Sequence, residues 1–120
     1  MSSFRVQVVA INPEEEAQMT QSIETIVDTG AELSSLPRNL LHGTGVKSGK
    51  KRIMVTAAVE RVELEVGYAI LRTKGFEAID EVIMGEKSDF VLSGERPIEG
   101  FGLVVDNIGH RFINRAFLAF

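Results

Sequence analysis

The 120-residue sequence predicts a mostly β, single-domain fold on three observations. Short runs rich in β-branched residues recur at regular spacing, several alternate apolar and polar positions with a period of two, and Asn, Asp, Gly and Pro punctuate the gaps. Apolar residues at 44% and charged residues at 25% match an ordinary globular domain able to bury one core without metals or disulfides. There is no internal repeat, low-complexity segment or linker, so residues 1–120 are expected to form one unit.

The elements follow in order. Phe4–Ile11 reads as a strand ending at the Asn12-Pro13 turn, and Glu14-Glu15-Glu16 as a solvated turn. Thr20–Val27 reads as a second strand running directly into Asp28. Pro37 suits the first turn of a short helix over Arg38–Leu41, which Gly43 and Gly45 end. Ile53–Val59 and Val62–Leu71 read as two strands joined by a polar corner at Glu60-Arg61. Phe76–Met84, Phe90–Leu92, Leu103–Val105 and Arg111–Ile113 are further strands.

Composition excludes several kinds of chemistry. With no cysteine there is no disulfide, thiolate metal site or cysteine nucleophile. A net charge of −4 gives no general attraction to nucleic acid, and the basic cluster Lys47 to Arg52 reads as a solvated loop. The N-terminus turns charged before an apolar leader could form, and no run has the length of a membrane span, so neither export nor insertion is expected and the cytoplasm is the default. His42 and His110 lack partners at metal-ligand spacing, and Asp80, Glu81, Asp89 and Asp106 read as solvated loop carboxylates. No metal site is expected. Gly100-Phe101-Gly102 lacks the setting of a dinucleotide fingerprint, so no cofactor is expected either.

One segment points to chemistry. Asp28-Thr29-Gly30-Ala31 places an acid at the end of a buried strand, between Ile26-Val27 and Leu33, where burial raises the cost of its charge. Gly30 permits a sharp turn or a close approach of another chain, and Thr29 offers a hydroxyl. The same three residues also leave a strand in many proteins with the Asp side chain capping the turn.

Ile26-Val27-Asp28-Thr29-Gly30-Ala31 followed by Leu36-Pro37 resembles the signature of the retropepsin-like aspartic proteases, particularly their short single-lobe prokaryotic members. Val8 to Pro13 is similar to their first strand and turn, and Val66-Gly67-Tyr68-Ala69 and Glu81–Gly85 to strands after the flap. Val91-Leu92-Ser93-Gly94 resembles the segment supporting the catalytic loop, and Gly102–Asp106 the late strand. The resemblance implies a single-lobe acid-protease barrel with one short helix. It also implies a homodimeric endopeptidase in which Asp28 from each copy forms the catalytic pair, acting on a peptide or protein substrate. Thr29, Gly30, Ala31, Leu92 and Gly94 would support the loop, and Ala57, Ala58, Val59 and Glu60 would form the flap. Two positions depart from the pattern: Ala58-Val59 stands where relatives place a glycine-containing turn, and Ser93 where a second large aliphatic residue is common. An inactive module of the same fold that dimerises or binds peptide is the competing expectation, and a structural domain using Asp28 as a turn cap is a third. The tail Phe112–Phe120 is expected to pack either into the core or against a second subunit.

Overall fold

The computed structural model describes residues 4–55, 58–87, 89–106 and 108–114. Its elements are β1 (Arg5–Ile11), β2 (Ile23–Val27), β3 (Ser34–Pro37), α1 (Arg38–Gly43), β4 (Lys50–Val55), β5 (Arg61–Thr73), β6 (Phe76–Gly85), β7 (Leu92–Ser93), α2 (Glu95–Gly100), β8 (Leu103–Asp106) and β9 (Arg111–Asn114). The fold is therefore mostly β, and two short helices replace the single one expected. The second escaped the sequence because Pro97 and Gly100 interrupt any helical period in Glu95–Gly100. Among the described residues no helix is long and apolar enough to cross a membrane.

Seven strands form one sheet in the order β1-β2-β7-β3-β6-β5-β4. Strand β1 serves two neighbours: Arg5–Val8 pairs with β2, whereas Val9–Ile11 pairs with β5. Pairing thus runs from β1 through β2, β7, β3, β6 and β5 back to β1, and among the described residues β4 is attached outside that circuit to β5 alone. Most neighbours are antiparallel, but β2 lies parallel to β7, and β3 parallel to β6. Strands β8 and β9 form a separate hairpin. Val6, Val8, Leu36, Leu71, Val82 and Ile98 are among the residues that close the core between these elements.

Several predicted boundaries shift for local reasons. Strand β2 begins at Ile23, since Met19 and Thr20 instead pair with Ile11 and Ala10 before the chain turns. The Ser34–Pro37 strand is absent from the sequence reading: Ser34, Ser35 and Leu36 are all buried, so no two-residue alternation marks it. Strand β4 begins at Lys50, so half of the basic cluster read as a loop is an edge strand. Phe112 packs against Phe4 at 5.6 Å between ring centroids, an intramolecular contact, while residues 115–120 of the tail lie outside the described residues.

Glu81 is the clearest correction to the charge reading. It sits in the middle of β6 with only 4% of its side chain exposed. A carboxylate so buried needs partners, and three elements supply them. Arg52 Nε of β4 lies 2.6 Å from Oε2, Lys50 of β4 forms an ion pair with Oε1, and Tyr68 of β5 donates to Oε1 at 3.3 Å. Arg96 of α2 stands 4.0 Å from Oε2 and holds the neighbouring Asp80 at 2.6 Å. Arg52 and then Lys50 hold the Glu81 carboxyl down at about 2.

A carboxylate whose folded pKa lies below its unfolded value stabilises the fold above the unfolded value and loses that contribution as pH falls toward the folded one. Glu81 should therefore support stability fully above its ordinary value of 4.5 and lose it between there and about 2. In Glu81→Gln, the dependence of unfolding free energy on pH across that window should flatten by up to about 1.4 kcal/mol per pH unit, read by urea denaturation at stepped pH. An unchanged acid limb would contradict this role.

Candidate functional site

The Asp28 segment is shaped by a crossing. Strand β7 lies between β2 and β3, so the chain leaving β2 must pass over the end of β7 to enter β3 on its far side. Parallel pairing brings Ile26 opposite Leu92 and Val27 opposite Ser93, and the ladder extends one step further because the Asp28 amide donates to the Ser93 carbonyl at 3.0 Å. Asp28 is thus fixed through its own backbone at the end of a buried strand.

Beyond it the chain turns. The Gly30 amide donates to Asp28 Oδ1 at 2.9 Å and the Ala31 amide to the Asp28 carbonyl at 3.2 Å. Among the described residues nothing donates to Oδ2. Asp28 and Ala31 are half-buried, while Thr29 and Gly30 are exposed. A Cβ at residue 30 would stand 3.2 Å from Asp28 Oδ1, so glycine leaves the carboxylate its room. The carboxylate therefore has one oxygen held by its turn and one available to a water or a second group.

The loop is clamped where it crosses β7. A Cβ on Gly94 would lie 2.4 Å from the Leu33 carbonyl carbon and 2.5 Å from its oxygen, a separation only glycine permits. The Gly94 amide donates to Ser34 Oγ at 3.0 Å. Immediately afterward α2 begins without a side-chain cap, and its first amides are satisfied by the loop itself: Glu95 donates to Ala31 and Arg96 to Glu32, at 2.8 and 3.0 Å. Leu92, half-buried, pairs on one side with Ile26 and on the other with Ser35. Ser93 is buried 2.6 Å from Thr25 Oγ1, which also donates to the Val6 carbonyl. The missing aliphatic at 93 is thus matched by a hydroxyl opposite.

The structure joins Asp28, Gly30, Ala31 and Gly94 in one hydrogen-bonded unit together with Ser34, Glu95 and Arg96, which the sequence reading missed. A glycine three residues before a proline and close to an apolar stretch gave only a faint signal of α2. The predicted flap falls on the connection between β4 and β5, which ends with Val55 opposite Arg61. Ala58, Val59 and Glu60 are exposed there, and Ala57 lies outside the described residues. Val59 has φ of 60°, a left-handed backbone unfavourable to a β-branched side chain. Ile53 and Val55, two residues apart on one side of β4, are 62% and 64% exposed. Alternation along β5 places that side with Gly67, Ala69 and Leu71, which face the core.

The other candidates stay apart from this unit. His42 is exposed, and His110 is exposed and stacked on Phe4. Asp89 accepts the Glu86 amide at 2.7 Å. The Gly109 amide and then the Arg111 guanidinium hold the Asp106 carboxyl below its ordinary range. No group of His, Asp or Glu suited to a metal ion occurs among the described residues. A groove of about 650 Å³ between α1 and the 85–91 segment is lined by Pro37, Arg38, His42 and Phe90 but by none of the predicted site residues. Asp28 does not line that groove.

Two substitutions test the local geometry. Gly94→Ala should cost about 2–3 kcal/mol in urea denaturation, because the crossing chains must part to admit a methyl group. Val59→Gly should raise stability by about 0.5–1 kcal/mol, since relief of the left-handed backbone outweighs the added chain entropy. Comparison with protein-family models and with curated proteins finds no match for this chain.

Proposed function

We propose that the protein is a homodimeric aspartic endopeptidase whose catalytic pair is Asp28 from each of two copies, on a single-lobe barrel of retropepsin type. The observation that carries this proposal is the presentation of Asp28: a half-buried carboxylate at a strand end, one oxygen tied by its turn, on a loop that β7 and α2 hold from behind. An ordinary strand exit does not require a crossing so tight that Gly94 has no room for a Cβ. The closed circuit of strand pairing supports the barrel. The exposure of Thr29 and Gly30 beside the half-buried Asp28 supports a site completed by a second copy across a two-fold axis.

In the proposed dimer the two carboxylates share one proton, so that one is ionised while the other can donate. The ionised member takes a proton from the attacking water while the protonated member donates to the scissile carbonyl oxygen. The tetrahedral intermediate then breaks at its C–N bond as one carboxyl proton passes to the leaving nitrogen and a hydroxyl of the intermediate gives its proton to the other carboxylate, so the pair again holds the one proton it began with. Atoms and charge balance with water as the only co-reactant. The β4–β5 hairpin closes over an extended peptide, and Ile53 and Val55 offer apolar contact to its side chains. Rigid presentation of the acid lowers the reorganisation needed at the transition state.

Val59 at the hairpin tip favours a second reading, a peptide-binding or dimerising module without turnover, because a strained β-branched tip closes less readily than a glycine turn. The hydrogen bond from Gly30 to Asp28 is equally what a structural turn cap makes. One experiment separates the three. Purified protein incubated with a peptide library between about pH 3 and about pH 7 should cleave, and Asp28→Asn should lower the rate by at least about 100-fold with the fold retained. Specific activity should fall on dilution as the dimer measured by sedimentation dissociates. Peptide binding without products would favour the module, and a stable monomer indifferent to Asp28→Asn the turn cap.

A further inference from the structure

We infer that Glu81 is a shared anchor for which the β4–β5 hairpin and the Asp28 loop compete, so that loosening one tightens the other. The contacts are asymmetric. Oε1 of Glu81 is served by Lys50 and Tyr68, whereas Oε2 faces two guanidinium groups, Arg52 at 2.6 Å and Arg96 at 4.0 Å. Arg52 belongs to a strand that, among the described residues, pairs with β5 alone. Arg96 belongs to the first turn of α2, whose amides hold the Ala31 and Glu32 carbonyls of the Asp28 loop. Arg96 is retained in the meantime by Asp80 Oδ1, the oxygen that also accepts the Glu81 amide.

Two cations aimed at one oxygen repel each other, and in the present arrangement Arg52 has the shorter contact. When the hairpin lifts, Arg52 leaves Oε2, and Arg96 loses a like charge while gaining a carboxylate oxygen. Closing the gap from 4.0 Å draws the side chain of Arg96 onto β6 and restrains the helical turn that clamps the loop. Restoring Arg52 reverses this. Because the coupling is one free energy, it acts in both directions: loss of Arg96 must strengthen the hold on the hairpin. Glu81 touches no reacting atom and is a positioning residue. Its consequence for catalysis rests on the protease proposal, in which the hairpin is the flap and the loop carries Asp28.

Amide hydrogen exchange on the full chain without substrate tests the anchor independently of any activity. In Arg52→Gln, amides of the β4–β5 ladder should exchange faster, while those of Glu95 and Arg96 should exchange slower, by about threefold or more. Arg96→Gln should give the reverse pattern. Both residues are roughly half exposed, so either variant should fold. Both effects should shrink in about 1 M salt, where exposed charges are screened. Opposite signs at the two ends cannot arise from general destabilisation, which accelerates both. Acceleration at both ends, or exchange at Glu95 and Arg96 within about twofold of the parent chain in both variants, would overturn the anchor. A positive exchange result with no peptide cleavage would leave the anchor standing and remove the protease proposal.

Discussion

The passage of the chain from β2 to β3 over the end of β7 constrains everything near Asp28. Two parallel pairings, β2 with β7 and β3 with β6, force it, because β7 occupies the space that a simple hairpin between β2 and β3 would fill. The crossing brings the Leu33 backbone against Gly94 and leaves two carbonyls, those of Ala31 and Glu32, in position to receive the first amides of α2. The loop and the helix thereby satisfy each other's backbone groups, which would otherwise need water or side-chain caps. Asp28 inherits its position from this arrangement rather than from contacts of its own side chain.

Polar side chains take a large part in holding the crossing. Thr25 and Ser93 share a short hydrogen bond in the interior, and Ser34 receives the Gly94 amide. Among the described residues every buried side-chain nitrogen and oxygen has a partner. Such networks impose direction where apolar packing alone tolerates sliding, and here they set the register between β2, β7 and β3. The Glu81 cluster does the same on the far side of the sheet, at the cost of burying a charge that several cations must then compensate.

The two regions connect the proposed chemistry to the fold. The acid has its backbone in a ladder and its loop clamped, while β4 at the base of the hairpin pairs, among the described residues, with β5 alone. The proposed peptide hydrolysis would need a preorganised acid and a cover that admits substrate, roles the proposal gives to the Asp28 loop and the β4–β5 hairpin. Glu81 lies between them, bound to the base of the hairpin and within reach of the helix behind the loop.

Local sequence determined much of this protein. Alternation in Phe4–Ile11 and Val62–Leu71 marked strands within a residue or two of those observed, Pro37 and Gly43 bracketed α1, and Asp-Thr-Gly announced a turn at the end of a strand. Each depends on neighbours a few residues apart, where period and turn chemistry act. Tertiary structure decided the rest. Ser34–Pro37 became a strand only because β6 and β7 flank it, and Glu95–Gly100 a helix only because the Asp28 loop and β6 receive it. Lys50, Arg52, Glu81 and Arg96 are unremarkable charges along the chain. They form a cluster because β5 holds β4 on one side and β6 on the other, and a buried carboxylate is tolerated only where folding has already gathered its cations.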